Sequence, residues 1–307
     1  MSGVLIYSET THLALELASG AQVLGGKIFA VTVNNDDQAT LLASKGLDAY
    51  AVNHSAVALG DTAAIAAVLK QAAEQLNVDS ILLASNRRGK ELAGRLAQDW
   101  EAGCLTDVKE FVTSENNPGF RRNVLGGATI ATQCINAEHK VIAVLPKSFV
   151  RYESDVKGQV TALEVSVSEP TVKFLEQKSR AGDAADIQGA NQLVIVGMGV
   201  EDQADMPKII NIATALQAEV ACSKPVATDR KWFSEDRIVG LSGKLCKPEL
   251  AVIFGVSGQV QFVVGVREAK VVVSINNDEN AYLNSISDYV LVADAHSILQ
   301  ELADALK

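Results

Sequence analysis

At 307 residues, 48% of them hydrophobic and 21% charged, the chain is long enough for two domains and can bury large cores without disulfides or a structural metal. The formal net charge of -10 argues against a nucleic-acid partner, because affinity for a phosphate backbone comes mainly from Lys and Arg. The start, MSGVLIYSET, has neither a basic segment nor a long apolar run, and no window approaches the ~20 apolar residues of a membrane helix, so neither a signal peptide nor a membrane span is expected. Cys104, Cys134, Cys222 and Cys246 form no C-x-x-C pair and His is scarce, which argues against a zinc site. Buried free thiols and a cytoplasmic location are the expectation.

The first half alternates strand and helix patterns. Val4 to Tyr7 reads as a buried strand, and His12 to Leu24 has helical spacing. Ile28 to Val33 is the next strand and Thr40 to Leu47 the next helix. Ala63 to Leu76 is an Ala-rich helix with Asp61 or Thr62 as its N-cap. Ile81 to Ala84 is a third strand, followed by a helix from Gly89 to about Trp100. This rhythm implies a mainly parallel sheet covered on both faces. Phe120 to Ile135, β-branched and broken by Gly126-Gly127, reads instead as a hairpin or meander. Val141 to Leu145 is a further strand, and Leu163 to Val167 has the pattern of another.

The polar stretch from Glu176 to Asp183 looks like a linker. After it the βα rhythm restarts, so the expected division is residues 1–187, with the linker near 176–187, and residues 188–307. Leu193 to Val196, Glu219 to Cys222, Ala251 to Phe254 and Val271 to Ile275 read as strands. Asp205 to Gln217 is amphipathic, and Ser297 to Leu306 closes the chain as a helix. The fold class is α/β with two domains, each a mainly parallel sheet with flanking helices.

Each strand of the second half runs into a turn of small or polar residues. These are Gly197-Met198-Gly199, Ser223-Lys224-Pro225, Gly255-Val256-Ser257-Gly258 and Asn276-Asn277-Asp278. In a parallel sheet all of them lie at the carboxyl ends of strands, the edge that binds ligands. Small residues there let backbone N–H groups approach a phosphate. Gly255 to Gly258, before the run Gln259 to Val266, is the best placed for that role. A Gly turn after a strand is also an ordinary structural turn. The spacing does not fit the G-x-G-x-x-G dinucleotide pattern with its acidic residue.

Ala221 to Asp294 carries ACSKPVATDRKW, RIVGLSGKLCKPELAVIFGVSGQVQF, VVVSINNDENA and SDYVLVAD in that order. This run resembles the alpha subunit of electron transfer flavoproteins, whose pattern is S-R-P before an acidic residue, then G-Q-S/T-G-K, G-I-S-G-x-x-Q-H, A-I-N-x-D and A-D-Y-G-I/V-V/A-G/A-D. The first half agrees more loosely, through Arg88-Gly89-Lys90, Leu105-Thr106-Asp107 and Gly126-Gly127. The resemblance implies an FAD-binding C-terminal domain and a smaller beta subunit packed alongside. It also implies transfer of electrons from a dehydrogenase, often an acyl-CoA dehydrogenase of fatty acid oxidation, to another redox partner, with no substrate turnover of its own.

Carried over by position, Ser223, Ser242, Gly243, Lys244, Ser257, Gly258, Gln261, Asn276, Asp278 and Asp294 match the pattern, with Gly255 and Gln259 beside them. Ser242 is implied near the flavin N5, Ser257 and Gly258 by the pyrophosphate, and Asn276 and Asp294 toward the ribityl and adenosine parts. Ser242, Ser257 and Asp294 have a second reading as helix N-caps. Four cofactor-site positions depart from the pattern. Lys224 stands where Arg is usual, Met198 where a G-R-G arginine is common, Leu241 in place of Gln, and Phe262 in place of the His that faces the flavin pyrimidine edge. Lys keeps the charge but loses the planar fork, and Phe has no donor. The alternative function is therefore a non-redox structural or nucleotide-binding paralogue. A third reading, a nucleotide-dependent transferase on a similar α/β fold, has little support, because no acid/base pair or nucleophile stands out in the sequence. Arg87, Arg88 and Lys90 form a basic cluster that reads as a docking site or as solvated or locally paired charge, and Trp100 and Trp232 read as packing or interface residues, with stacking on a flavin as the other reading.

Overall fold

The computed structural model describes residues 3–112, 118–125, 127, 129–167, 172, 175–176 and 186–306. The chain forms two compact units, Met1–Gln177 and Lys178–Lys307. Ile187, which is fully buried in the core of the second unit, explains why that unit begins before residue 188. Most of the expected linker, from Gln177 to Ala185, lies outside the described residues, as does Gly126.

In the first unit, β1 (Val4–Tyr7), β2 (Ile28–Val33), β3 (Asp48–Val52) and β4 (Ser80–Ala84) alternate with α1 (Thr11–Leu24), α2 (Asp36–Ser44), α3 (Thr62–Gln75) and α4 (Arg87–Asp99). Then come β5 (Gly103–Val112), β6 (Gly119–Val124), β7 (Thr129–Cys134), β8 (Lys140–Val144) and β9 (Val160–Ala162). Among the described residues they form one sheet in the order β7-β6-β5-β8-β4-β1-β2-β3-β9, parallel except for the antiparallel β5-β6-β7 meander. Alternate residues of the central strand enter different cores: Val4 and Ile6 face one, Leu5 and Tyr7 the other. Both faces are therefore covered, as the continuous apolar strands require.

Several boundaries depart from the sequence expectation. The helix expected at Thr40 to Leu47 begins at Asp36, because Asn35 caps it by accepting from the Gln38 N–H at 2.9 Å. Asp61, not Thr62, caps α3, accepting from Ala63 and Ala64. Leu163 to Val167 is not a strand; the strand is Val160–Ala162. Leu163, Val165 and Val167 do pack on the core, which produces the alternation. The Leu163 N–H still donates to the Ala51 carbonyl at 2.9 Å, and beyond it the backbone is held by side chains of α3. Gln71 donates to the Ser166 carbonyl (2.7 Å) and accepts from its N–H (2.9 Å), and Gln75 donates to the Glu164 carbonyl (2.9 Å).

The basic cluster is paired locally, Arg88 with Glu9 and Lys90 with Asp107 at 2.7 Å. Trp100 is buried and stacks on His139 with ring centres 4.3 Å apart. The four cysteines are free, but only Cys222 and Cys246 are buried; Cys104 and Cys134 are exposed, contrary to expectation.

The second unit contains β10 (Gln192–Val196), α5 (Met206–Ala215), β11 (Glu219–Cys222), α6 (Lys224–Thr228), β12 (Leu250–Phe254), α7 (Val260–Val266), β13 (Val271–Asn276), β14 (Tyr289–Val292) and α8 (Ala295–Ala305). Its sheet is parallel throughout, in the order β11-β10-β12-β13-β14. Val194, Val196, Val252 and Phe254 pack beneath α5 and α8. Leu193, Ile195, Ala251 and Ile253 form the opposite core with Phe262 and Val266 of α7. Each such buried aliphatic side chain contributes roughly 1.5–3 kcal/mol. No helix among the described residues is long and apolar enough to cross a membrane.

Candidate functional site

The strand order of the second unit reverses between β10 and β12. At such a switch point the loops leaving the two strands diverge and open a crevice at their carboxyl ends. The loops here are Gly197–Val200 and Gly255–Gln259, and they cross in near contact. The Gly197 N–H donates to the Phe254 carbonyl at 2.8 Å and the Gly199 N–H to the Gly255 carbonyl at 2.9 Å. A Cβ on Gly255 would sit 2.6 Å from the Gly199 Cα, and Gly255 holds φ +62°. Only glycine fits that position.

Beyond this crossing lies a cavity of about 760 Å³, within the range of small-molecule sites. Met198, Ser223, Lys224, Leu241, Ser242, Gly255, Ser257, Gln259, Gln261, Phe262, Asn276 and Asp278 line it, together with Gly199, Pro225, Val239 and Val256. The remaining sequence candidates stand apart from the wall. Gly243 closes the loop that carries Ser242: its N–H donates to the Gly240 carbonyl at 3.0 Å, while Lys244 donates through its backbone to Ile238 at 2.8 Å. Gly258, at φ +85°, passes against the backbone of Leu283. Asp294 caps α8 by accepting from the Ser297 N–H at 3.1 Å, so its helix-cap reading is realised. For Ser242 and Ser257 the cap reading is not realised, since Gln259 is the N-cap of α7 and no helix follows Ser242.

The loop from Gly240 to Lys244 is pinned to α7 by the Leu241 N–H, which donates to the Gln261 carbonyl at 2.8 Å. Leu241 and Ser242 are thereby left exposed on the cavity side. Ser223 is buried at the end of β11 and makes no capping bond with its hydroxyl. Lys224 follows it, exposed, at the start of α6. Asn276 is buried and spent on backbone: its amide donates to the Val256 carbonyl at 2.8 Å and accepts from the Asp278 N–H at 3.0 Å. It lines the cavity and fixes the wall there. Phe262 lines the cavity while packing in the core at 7% exposure. Burial pushes the Cys222 thiol up to about 12, so the residue before Ser223 is no thiolate.

These features fit a dinucleotide flavin. A glycine cradle admits phosphate close to the backbone, Lys224 supplies a cation, and the apolar Met198, Leu241 and Phe262 suit an aromatic ring. When bound, such a flavin supplies reversible one- and two-electron transfer. Pro225, Val239 and Val256 were not among the sequence candidates; Pro225 and Val256 adjoin one and Val239 lies two residues before Leu241, and that proximity was the only signal. Arg230, whose guanidinium donates to the carbonyls of Val200 and Met198, had no sequence signal.

The comparisons agree with this geometry. The family model described as "Electron transfer flavoprotein domain" matches residues 6–170, and that described as "Electron transfer flavoprotein FAD-binding domain" matches residues 186–267. The chain is 31% identical to the Escherichia coli K12 protein named "Putative electron transfer flavoprotein subunit YdiR", over 100% of this chain and 98% of that one. It is 30% identical to "Protein FixB" of Salmonella typhimurium and 29% identical to that of Escherichia coli O157:H7, each over 99% of this chain and 98% of the other. The chain belongs to the electron transfer flavoprotein family, of the alpha type, and its C-terminal unit carries the family's FAD-binding domain.

Proposed function

We propose that this chain is the FAD-holding alpha subunit of a heterodimeric electron transfer flavoprotein. It passes electrons from a dehydrogenase, with acyl-CoA dehydrogenases as the first class to test, to another redox partner, and turns over no substrate of its own. FAD occupies the cavity between the Gly197–Val200 and Gly255–Gln259 loops, held by the twelve lining candidates named above. The first unit, Met1–Gln177, serves as the platform for the beta subunit, and the complex works in the cytoplasm. The observation that carries this reading is the coincidence of the matched FAD-binding domain with a glycine-lined cavity at the sheet's switch point.

The test is co-expression with the beta partner, release of the ligand by heat and its identification by mass. FAD, with reduction by a dehydrogenase and its substrate, is the expected result. NAD, or no ligand in repeated preparations, would overturn it. A second reading, a non-redox paralogue, is favoured by one observation: Met198, Leu241 and Phe262 put three apolar side chains on the wall where the family pattern has donors. A colourless heterodimer would support that reading.

A further inference from the structure

Arg230 lies just after α6, half-buried, six residues beyond the cavity-lining Lys224. Its guanidinium stacks over Trp232, 4.5 Å from the ring centre, and Trp232 in turn packs on the core beneath α5. From that fixed seat one nitrogen donates to the Met198 carbonyl at 2.9 Å and another to the Val200 carbonyl. One planar fork thus holds two carbonyls of the switch-point loop.

The Met198–Gly199 peptide is held at both ends, its carbonyl by Arg230 and its N–H by the Gly255 carbonyl at 2.9 Å. A peptide with both polar ends fixed cannot flip. The neighbouring donors are also used: the Gly197 N–H goes to Phe254 at 2.8 Å and the Val200 N–H to Gly197 at 3.2 Å. Within the segment Gly197–Val200, the Met198 N–H alone has no partner among the described residues. Met198 lines the cavity.

We propose that Arg230 is a positioning residue for FAD, fixing the loop so that the Met198 N–H is kept for an anionic oxygen of the cofactor's pyrophosphate. The proposal rests on the reading that FAD occupies this cavity. Arg230 does not line the cavity itself and acts through the loop. Lysine cannot replace it, since a single ammonium lacks the planar geometry that stacks on Trp232 and reaches both carbonyls.

The test uses the full chain co-purified with its beta partner, stripped of flavin and titrated with FAD and with riboflavin, which has no phosphate. In Arg230→Gln the FAD Kd is expected to rise about tenfold, the scale of one hydrogen bond to a charged group. Arg230→Lys should not restore it, and riboflavin binding should be unchanged. In a Met198→Pro background, which removes the N–H, Arg230→Gln should add less than about twofold, because the two changes remove one interaction. Unchanged FAD binding, equal weakening of riboflavin, rescue by lysine or full additivity would each overturn the proposal. If Arg230→Gln does not fold, Arg230→Lys with the same two ligands decides alone: selective loss of FAD supports it and wild-type binding overturns it. Failure of the wild-type pair to bind FAD would refute the functional reading beneath it, whereas normal wild-type binding with any overturning result refutes only the role of Arg230.

Discussion

The Asn276 amide nitrogen donates to the Val256 carbonyl at 2.8 Å, tying the end of β13 to the loop that follows β12. The same side chain accepts from the Asp278 N–H at 3.0 Å, so one buried amide sets the spacing of two cavity-lining loops. Asn276→Asp keeps the size and the acceptor but turns the donor into a second acceptor facing a carbonyl. A buried donor lost in this way costs about 1–3 kcal/mol, and more when the replacement carries charge. Denaturant unfolding of the variant should show that loss with an unchanged m value. FAD affinity should fall with it, while Asn276→Ala should lose less stability than the Asp variant. Equal stability of wild type and Asn276→Asp would show that the bond contributes nothing.

Gly255→Ala tests the crossing of the two switch-point loops. The added methyl group meets Gly199 backbone at 2.6 Å, and the residue must also hold φ +62°. The left-handed conformation alone costs roughly 1–2 kcal/mol, and displaced packing adds roughly 1–3. Neither neighbour is a flexible side-chain end, so the loops must separate. The variant is expected to lose FAD binding together with several degrees of Tm. Retained flavin at wild-type stoichiometry would mean that the crevice tolerates a wider opening.

The central strands of the second unit were legible because parallel strands buried on both faces are continuous apolar runs, as in Leu250–Phe254 and Val271–Asn276. Their turns could then be assigned to one edge. Strands β3 and β5 were not legible. Asp48–Val52 is short and small, and Gly103–Val112 mixes polar and apolar residues as it runs from a parallel pairing into an antiparallel one with register shifts. β14 is a different case: Tyr289–Val292 is an apolar run of four residues, but all four are exposed, so its apolar character does not report burial. Asn276 was correctly placed at the sheet edge, but a sequence cannot say that both halves of its amide are already committed. Arg230 was invisible because its partners lie 30 and 32 residues away and are backbone carbonyls, which leave no mark on residue type.

Asp205 gives the C-terminal unit an acid-sensitive contact. Only 3% exposed, its carboxylate is bonded by His296 at 2.8 Å and Lys208 at 3.0 Å, joining α8 to the start of α5. Burial raises its pKa, but the bonds from His296 and Lys208 together outweigh burial and hold it below the ordinary carboxylate value. A group depressed in the folded state stabilises above its unfolded pKa, and that stability is lost as pH falls through the folded value. Asp205→Asn should therefore be less stable than wild type at neutral pH. The gap should begin to close below about pH 4, where the unfolded carboxylate takes up its proton. Urea midpoints measured across that window decide it; a gap independent of pH would assign the effect to packing.

Phe262→His tests how the wall beside the flavin sets its potential. Phe262 lines the cavity without offering a donor, at the position where the family pattern has His. A donor near the flavin edge that gains negative charge on reduction favours the reduced form. A hydrogen bond to a charged group contributes roughly 1.5–3 kcal/mol, and for one electron ~59 mV corresponds to a tenfold change. The first reduction potential of the variant should thus rise by roughly 60–130 mV. Because the ring also packs with Leu193, Val239 and Val266 in the core, the substitution should cost stability as well. Phe262→Leu, which disturbs the packing without adding a donor, separates the two effects. It should lose stability with little change of potential, whereas only the His variant should shift the potential upward in a redox titration of the flavin. Equal potentials in all three proteins would place the Phe262 edge away from the flavin, or show that another group already donates there.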